Sequence, residues 1–225
     1  MLFKKQSIGI CTSLFLLIFT NLFNLGGVKA QSLSADIKII EEANDLMGGI
    51  VLVWCAEELI EVLPFGKADL DRDISVTDST QFRIASISKT ITALAVMQLY
   101  EAGLLDLDKN VSNYLGFDLV NPSHPQKAIT ARMLLSHTSS IIDGTGYSGF
   151  LSASYSNDPI PSISALLSSS GAFYTSDLFN NTIPGSYFNY SNLNFGVLGT
   201  LVEKISGQRF DQYCKNNILQ PLGIK

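Results

Sequence analysis

The 225-residue chain carries 15 Lys and Arg against 20 Asp and Glu, a formal net charge of −5, and is 46% hydrophobic. An acidic balance disfavours nucleic acid and anionic membrane surfaces as partners. Three cysteines and two histidines supply neither a disulfide framework nor a zinc set, while the length and apolar fraction suffice for a sizeable core.

Lys4 and Lys5 precede an apolar run over residues 8–19, and Val28-Lys29-Ala30 follows. This is the basic, apolar and small-residue order of a secretory leader, with cleavage expected after Ala30. The run is short for a span, and Asn21 and Asn24 interrupt its extension, so no stable membrane span is expected after cleavage. Residues 1–30 are read as a signal peptide and 31–225 as one domain of a secreted or periplasmic protein. Only Cys55 and Cys214 lie beyond the leader, and a disulfide between them is left open.

Residues 34–47 predict a short amphipathic helix with Ile37, Ile40 and Ala43 on one side. Residues 49–54 and 59–64 predict two strands of a hairpin that turns around residues 55–58, and residues 66–81 predict a polar loop. The strongest helical pattern covers residues 86–102. Its apolar positions are Ile87, Ile91, Leu94, Ala95, Val96 and Leu99, and Gly103 closes it. A shorter helix is expected over residues 129–137, with Thr130 as its cap. Residues 139–181, rich in Ser, Gly, Tyr and Asn, read as long loops with one short helix near 163–168. Helices over 193–205 and 209–219 complete the pattern.

Phe82-Arg83-Ile84-Ala85-Ser86-Ile87-Ser88-Lys89-Thr90 leads into the strongest helix. Positions i and i+3 share a helix face, so Ser86 Oγ and Lys89 Nζ can meet. A serine hydroxyl becomes a nucleophile when a neighbouring base takes its proton, and the positive end of a helix favours the alkoxide. Such a pair points to acyl transfer through a covalent Ser86 ester. The bare four-residue pattern equally fits a surface serine and lysine on an ordinary helix.

A second cluster, Pro184-Gly185-Ser186-Tyr187-Phe188-Asn189-Tyr190-Ser191-Asn192, ends a loop and begins the helix over 193–205. Together with residues 82–90 it resembles the serine β-lactamase and penicillin-binding-protein superfamily, closest to class C β-lactamases and the related esterases and D-peptidases. The resemblance also takes in Phe65-Gly66-Lys67-Ala68-Asp69-Leu70, Gly103-Leu104-Leu105-Asp106-Leu107-Asp108, Leu134-Leu135-Ser136-His137-Thr138-Ser139 and Leu219-Gln220-Pro221-Leu222-Gly223. It implies an α+β, β-lactamase/transpeptidase-like fold, an antiparallel sheet flanked by helices with a mostly helical subdomain.

The resemblance also assigns roles. It makes Ser86 the nucleophile, with Lys89 and Tyr190 as the base pair. Asn192 holds the acyl chain or the proton network, and the Ser86 N–H is one oxyanion donor. It implies a small-molecule or peptide substrate (an amide, ester or β-lactam), no cofactor and no metal. It does not set the oligomeric state. Tyr-x-Asn occurs three times. Tyr155-Ser156-Asn157 is set aside as a loop with no helix after it. Tyr187-Phe188-Asn189 is set aside because the motif belongs next to the helix start.

Two departures stand out. The superfamily completes its site with a Lys/His-x-Gly strand, and no such triplet lies between Leu193 and Lys225. The reading is therefore of a chain lacking its C-terminal sheet strands, with a ligand-binding remnant without catalysis as the alternative. Its hairpin then stands as a marginal two-stranded sheet. Ser140 stands where the superfamily usually has glycine, which affects a turn.

Three other patterns carry less. Gly144-Thr145-Gly146-Tyr147-Ser148-Gly149 matches a dinucleotide fingerprint but follows no strand and is expected to open no helix. His124 and His137 lack partners at metal-ligand spacing, and His137 is read as part of a structural turn. Asn110-Val111-Ser112, Asn180-Asn181-Thr182 and Asn189-Tyr190-Ser191 are glycosylation sequons in a eukaryotic host.

Overall fold

A computed structural model describes residues 33–156 and 159–224; the leader read from residues 1–30 lies outside them. The chain divides into two units, the first ending at Ile84 and the second beginning at Ala85.

In the first unit, helix α1 (Leu33–Ala43) precedes strands β1 (Gly48–Cys55), β2 (Glu58–Asp69) and β3 (Ile74–Ser75). The β1–β2 pair is antiparallel, with Gly48 opposite Gly66 and Cys55 opposite Glu58, and a bulge between Val53 and Trp54. Ala56, at φ +53°, makes the tight turn. Of the three apolar residues expected on one side of α1, Ile37 is buried, whereas Ile40 and Ala43 are exposed.

The sheet has three strands in the order β1-β2-β3, not the two expected. The segment read as polar loop instead continues β2 to Asp69 and returns as β3. Its charges are taken up at the turn. Asp69 accepts from Arg72 N and Nε at 2.9 and 2.8 Å, and Lys67 Nζ lies 2.8 Å from Asp73. Polarity there marks an edge strand, not a loop. At Gly66, φ +67°, a Cβ would fall 2.4 Å from Met47 O, so only glycine fits.

The second unit is helical: α2 (Lys89–Glu101), α3 (Ser112–Leu115), α4 (Ala131–Leu135), α5 (Thr145–Ser156), α6 (Ser164–Leu167), α7 (Asn192–Ser206) and α8 (Phe210–Cys214). Helix α7 is its centre, with α2, α3, α4 and α8 packed around it. It buries Leu193, Asn194, Val197, Leu198, Leu201 and Val202, against which α2 sets Ala95, Val96 and Leu99. Ile87 and Leu94, expected in the apolar stripe, are exposed. The helix expected over 86–102 starts as a 3₁₀ turn at Ala85–Ser88 and becomes α-helical at Lys89. Thr130 caps α4 as expected, its hydroxyl accepting from Met133 N at 3.3 Å. The last predicted helix divides into α8 and a π-helical turn at Lys215–Leu219.

The main difference lies in residues 145–156, read as loop and found as helix α5. Its weak propensity is overridden by tertiary contacts. Asp177 caps it by accepting from Thr145 N at 2.9 Å and Thr145 Oγ1 at 3.1 Å. Gly146 lets it lie against residues 173–175, since a Cβ there would be 2.0 Å from Phe173 O. The Gly-x-Gly-x-x-Gly pattern therefore does open a helix, but its glycines serve packing and a carboxylate already occupies that helix end. Tyr155 sits on this helix, 85% exposed; Asn157 lies outside the described residues.

Cys55 and Cys214 are both free thiols, the first exposed and the second buried. No helix among the described residues is long and apolar enough to cross a membrane. Leu198 is wholly buried at the centre of α7. Replacing it with alanine removes its contacts and leaves a cavity, so Leu198→Ala should cost about 2–5 kcal/mol. Urea unfolding checks this.

Candidate active site

Ser86 lies in the 3₁₀ turn ahead of α2 and Lys89 is the first residue of the α-helix. In a 3₁₀ turn residues i and i+3 eclipse one another, which brings the two side chains together more directly than an α-helix would. Lys89 Nζ donates to Ser86 Oγ at 3.2 Å, and Ser86 Oγ lies 2.7 Å from Tyr190 OH. Lys89 also donates to Asn192 Oδ1 at 2.8 Å. The four residues singled out from the sequence thus form one hydrogen-bonded cluster. Tyr187 of the rejected Tyr-x-Asn pattern is 60% exposed; Tyr190 is the one bonded to the serine.

With Lys89 donating to Ser86 Oγ, the serine's own proton is free to point at Tyr190. The phenol is held below its ordinary pKa, first by its interaction with Lys89 and then by the bond to Ser86, with partial burial opposing. Lys89 Nζ lies 5.0 Å from the Tyr190 ring centroid and 5.7 Å from that of Phe195.

Two residues of this cluster were given no role in the site from the sequence. The first is Asp143. Its Oδ1 accepts from Ser191 Oγ at 2.7 Å and Leu193 N at 3.1 Å, and its Oδ2 from Asn192 N at 3.1 Å and Asn192 Nδ2 at 2.8 Å. Burial pushes its pKa up, but these bonds outweigh that and hold the carboxyl below its usual range. A carboxylate at a helix N-terminus meets unpaired N–H groups and positive potential. By engaging Nδ2, Asp143 turns Asn192 Oδ1 toward Lys89. The second is His137, whose ring stacks on Tyr190 with centroids 4.5 Å apart. His137 belongs to the His-Thr-Ser block and is read from sequence as part of a turn, whereas Asp143 lies four residues beyond that block in a stretch read as loop, where no local pattern marks it.

Among the described residues, no cluster of His, Cys, Asp and Glu could hold a metal ion.

A sheet unit and a helical unit presenting Ser-x-x-Lys beside Tyr-x-Asn define a β-lactamase/transpeptidase-like fold. A model of the β-lactamase family matches residues 37–225, and the chain belongs to that family. It is 28% identical over 188 residues to "Protein flp" of Staphylococcus aureus strain N315, covering 82% of this chain and 36% of that protein. It is 30% identical over 205 residues to "Uncharacterized protein MT1414" of Mycobacterium tuberculosis, covering 84% of this chain and 49% of that one. The chain thus spans a third to a half of the length of these relatives.

Among solved structures, the octameric penicillin-binding protein homologue from Pyrococcus abyssi superposes with a TM-score of 0.69 at 27% identity, covering 87% of this chain and 43% of the other. EstCE1, a hydrolase with promiscuous acyltransferase activity, superposes with a TM-score of 0.68 at 27% identity, covering 85% and 51%.

The Asp143 carboxylate makes a test of pH-dependent stability. Its folded pKa is depressed, so its contribution is present above the unfolded value of about 3.9 and is lost as pH falls through the folded value. Urea midpoints followed from neutral pH into acid should fall. Asp143→Ala should be less stable at neutral pH and show a shallower acid fall. A fall parallel to that of the wild type would contradict this assignment.

Proposed function

We propose that the chain is the nucleophile-bearing part of a serine hydrolase that acts through a Ser86 acyl-enzyme on an amide, ester or β-lactam. The observation that carries this reading is Ser86 Oγ lying between Lys89 Nζ at 3.2 Å and Tyr190 OH at 2.7 Å. Ser86 Oγ attacks the substrate carbonyl carbon while its proton passes to the Tyr190 oxygen. The carbonyl electron pair moves onto its oxygen, toward the Ser86 N–H. Collapse of the tetrahedral adduct breaks the bond to the leaving amine or alcohol, which takes the proton from Tyr190. Water then attacks the ester, its proton going to Tyr190, and Ser86 Oγ leaves with a proton from the same phenol.

Lys89 lowers the phenol pKa below its ordinary value, which eases the alternation between these states, and Asn192 holds Lys89 in place. The amide of Asn192 is engaged by Lys89 and Asp143, which favours the network role over a direct acyl contact. Membership of a family whose solved neighbours include a penicillin-binding protein homologue and a promiscuous hydrolase supports the reaction class. Secretion is part of the proposal and rests on the leader of residues 1–30; an exported protein whose mass begins at Gln31 would support it.

A fluorophosphonate or a β-lactam should label the chain once, and Ser86→Ala should not label. Equal labelling of that variant would end the proposal. Tyr190→Phe should slow labelling by about 10²–10⁴-fold, the range for loss of a general base.

The labelling rate should rise with pH through the lowered phenol pKa and level off below the ordinary tyrosine value of about 10. Removing the Lys89 charge should move this limb to higher pH. A limb unmoved in Lys89→Ala would show that another group sets the Tyr190 pKa.

A further inference from the structure

His137 is joined to the chain on both sides of Tyr190. Its carbonyl accepts from Asn189 N at 2.8 Å and its Nδ1 accepts from Ser191 N at 3.3 Å. Its ring lies on the Tyr190 phenol with centroids 4.5 Å apart and planes tilted by 33°. Phe195 stacks on the same imidazole at 5.2 Å, and Phe188 meets it edge-on at 6.0 Å. His137 adopts this arrangement at φ +55°, a left-handed conformation that a non-glycine residue keeps only when its surroundings hold it there.

The partners settle the tautomer. A backbone N–H can only donate, so Ser191 N finds a bare Nδ1. Asn194 Oδ1 is already engaged by the Ser139 hydroxyl at 2.5 Å, so Asn194 presents Nδ2 to the same ring nitrogen at 3.2 Å. The neutral ring therefore carries its proton on Nε2.

We propose that neutral His137 is the positioning residue of Tyr190, and that protonation of Nδ1 releases Tyr190 from Ser86 and closes the site. This rests on the reading of Ser86, Lys89 and Tyr190 as catalytic. A protonated Nδ1 would face two donors, Ser191 N–H and Asn194 Nδ2, with no lone pair to offer either. The loop carrying Tyr190 would lose its tie beyond that residue and the ring stack would shift with it.

The charged and titratable groups around the imidazole set where this happens. Lys89 on α2 opposes a second cation, Asp143 on the following loop favours it, and Tyr190 is the titratable group on the loop before α7. Asn194 and Phe195 on α7 and Phe188 beside Tyr190 are uncharged. Burial, then Lys89, outweigh Asp143 and lower the His137 pKa. The device therefore leaves the site closed in acid and open at neutral pH.

The test uses the full 225-residue chain labelled with ¹⁵N-histidine. The chain has two histidines, His124 and His137, and His124→Gln assigns them. His137 should appear as the Nε2–H tautomer and titrate below the ordinary value of about 6.5. The ring signal of ¹³C-labelled Tyr190, assigned with Tyr190→Phe, should step at the same midpoint. Fluorophosphonate labelling of Ser86 should fall about a hundredfold through that midpoint beyond the decline set by the Tyr190 limb, as expected for a displaced catalytic group.

His137→Asn keeps an acceptor oxygen near the Nδ1 position but cannot be protonated, so it should keep the limb set by Tyr190 and lack the additional fall at the His137 midpoint. His137→Phe keeps the ring but no acceptor, and should label slowly at every pH. An Nδ1–H tautomer, a Tyr190 signal indifferent to the His137 titration, or an acid fall unchanged in His137→Asn would overturn the proposal. If the wild type fails to label at all, the hydrolase reading fails, while the tautomer and the Tyr190 step still decide the placement of His137.

Discussion

The carboxylate of Asp143 at the first turn of α7 is the constraint on which the rest of the site depends. A helix start leaves N–H groups without partners, and a serine at that position ordinarily accepts from one of them. Ser191 does not: its hydroxyl donates to Asp143, 48 residues earlier, and the carboxylate takes the N–H groups of Asn192 and Leu193 instead. Because the same carboxylate also receives Asn192 Nδ2, the amide has one orientation, with Oδ1 facing Lys89. Lys89 Nζ is thereby held beside Ser86 Oγ. The helix that Asp143 caps is also the centre of the helical unit's core, so the stability of the site and that of the fold share one anchor.

Backbone strain gathers around the same place. Ala85, directly before Ser86, has φ +45°; His137 has +55° and Ser140 +70°. None is glycine, and each conformation persists only where neighbours over-determine it. At Ser140 the compensation is visible. The buried hydroxyl accepts from Asn121 Nδ2 at 2.8 Å, and the same Asn121 nitrogen donates to Asn180 O at 2.9 Å. The Ser140 side chain thereby ties three loops together.

Much of this was legible in the sequence because it is local. The Ser86–Lys89 pair follows from i, i+3 spacing, the Thr130 cap from a hydroxyl ahead of an apolar run, and α7 from its periodic Leu and Val. What was not legible is non-local. Helix α5 is weak by composition and forms because Asp177, some thirty residues on, caps it and because Gly146 admits Phe173. Strand β3 hides in a charged stretch whose charges pair with one another. Asp143 and His137 reveal themselves only when residues 137–143 are laid against 189–194, a contact that no single-segment pattern encodes.

The most direct test of the account is to react the chain with an active-serine probe, digest it with trypsin and locate the adduct. Cleavage after Arg83 and Lys89 yields a peptide that holds two serines, Ser86 and Ser88. The hydrogen bonds place only Ser86 between the lysine amine and the tyrosine oxygen. Fragment masses that put a single adduct on Ser86 are the predicted result; an adduct on Ser88 or on another peptide, or no adduct at all, would contradict the account.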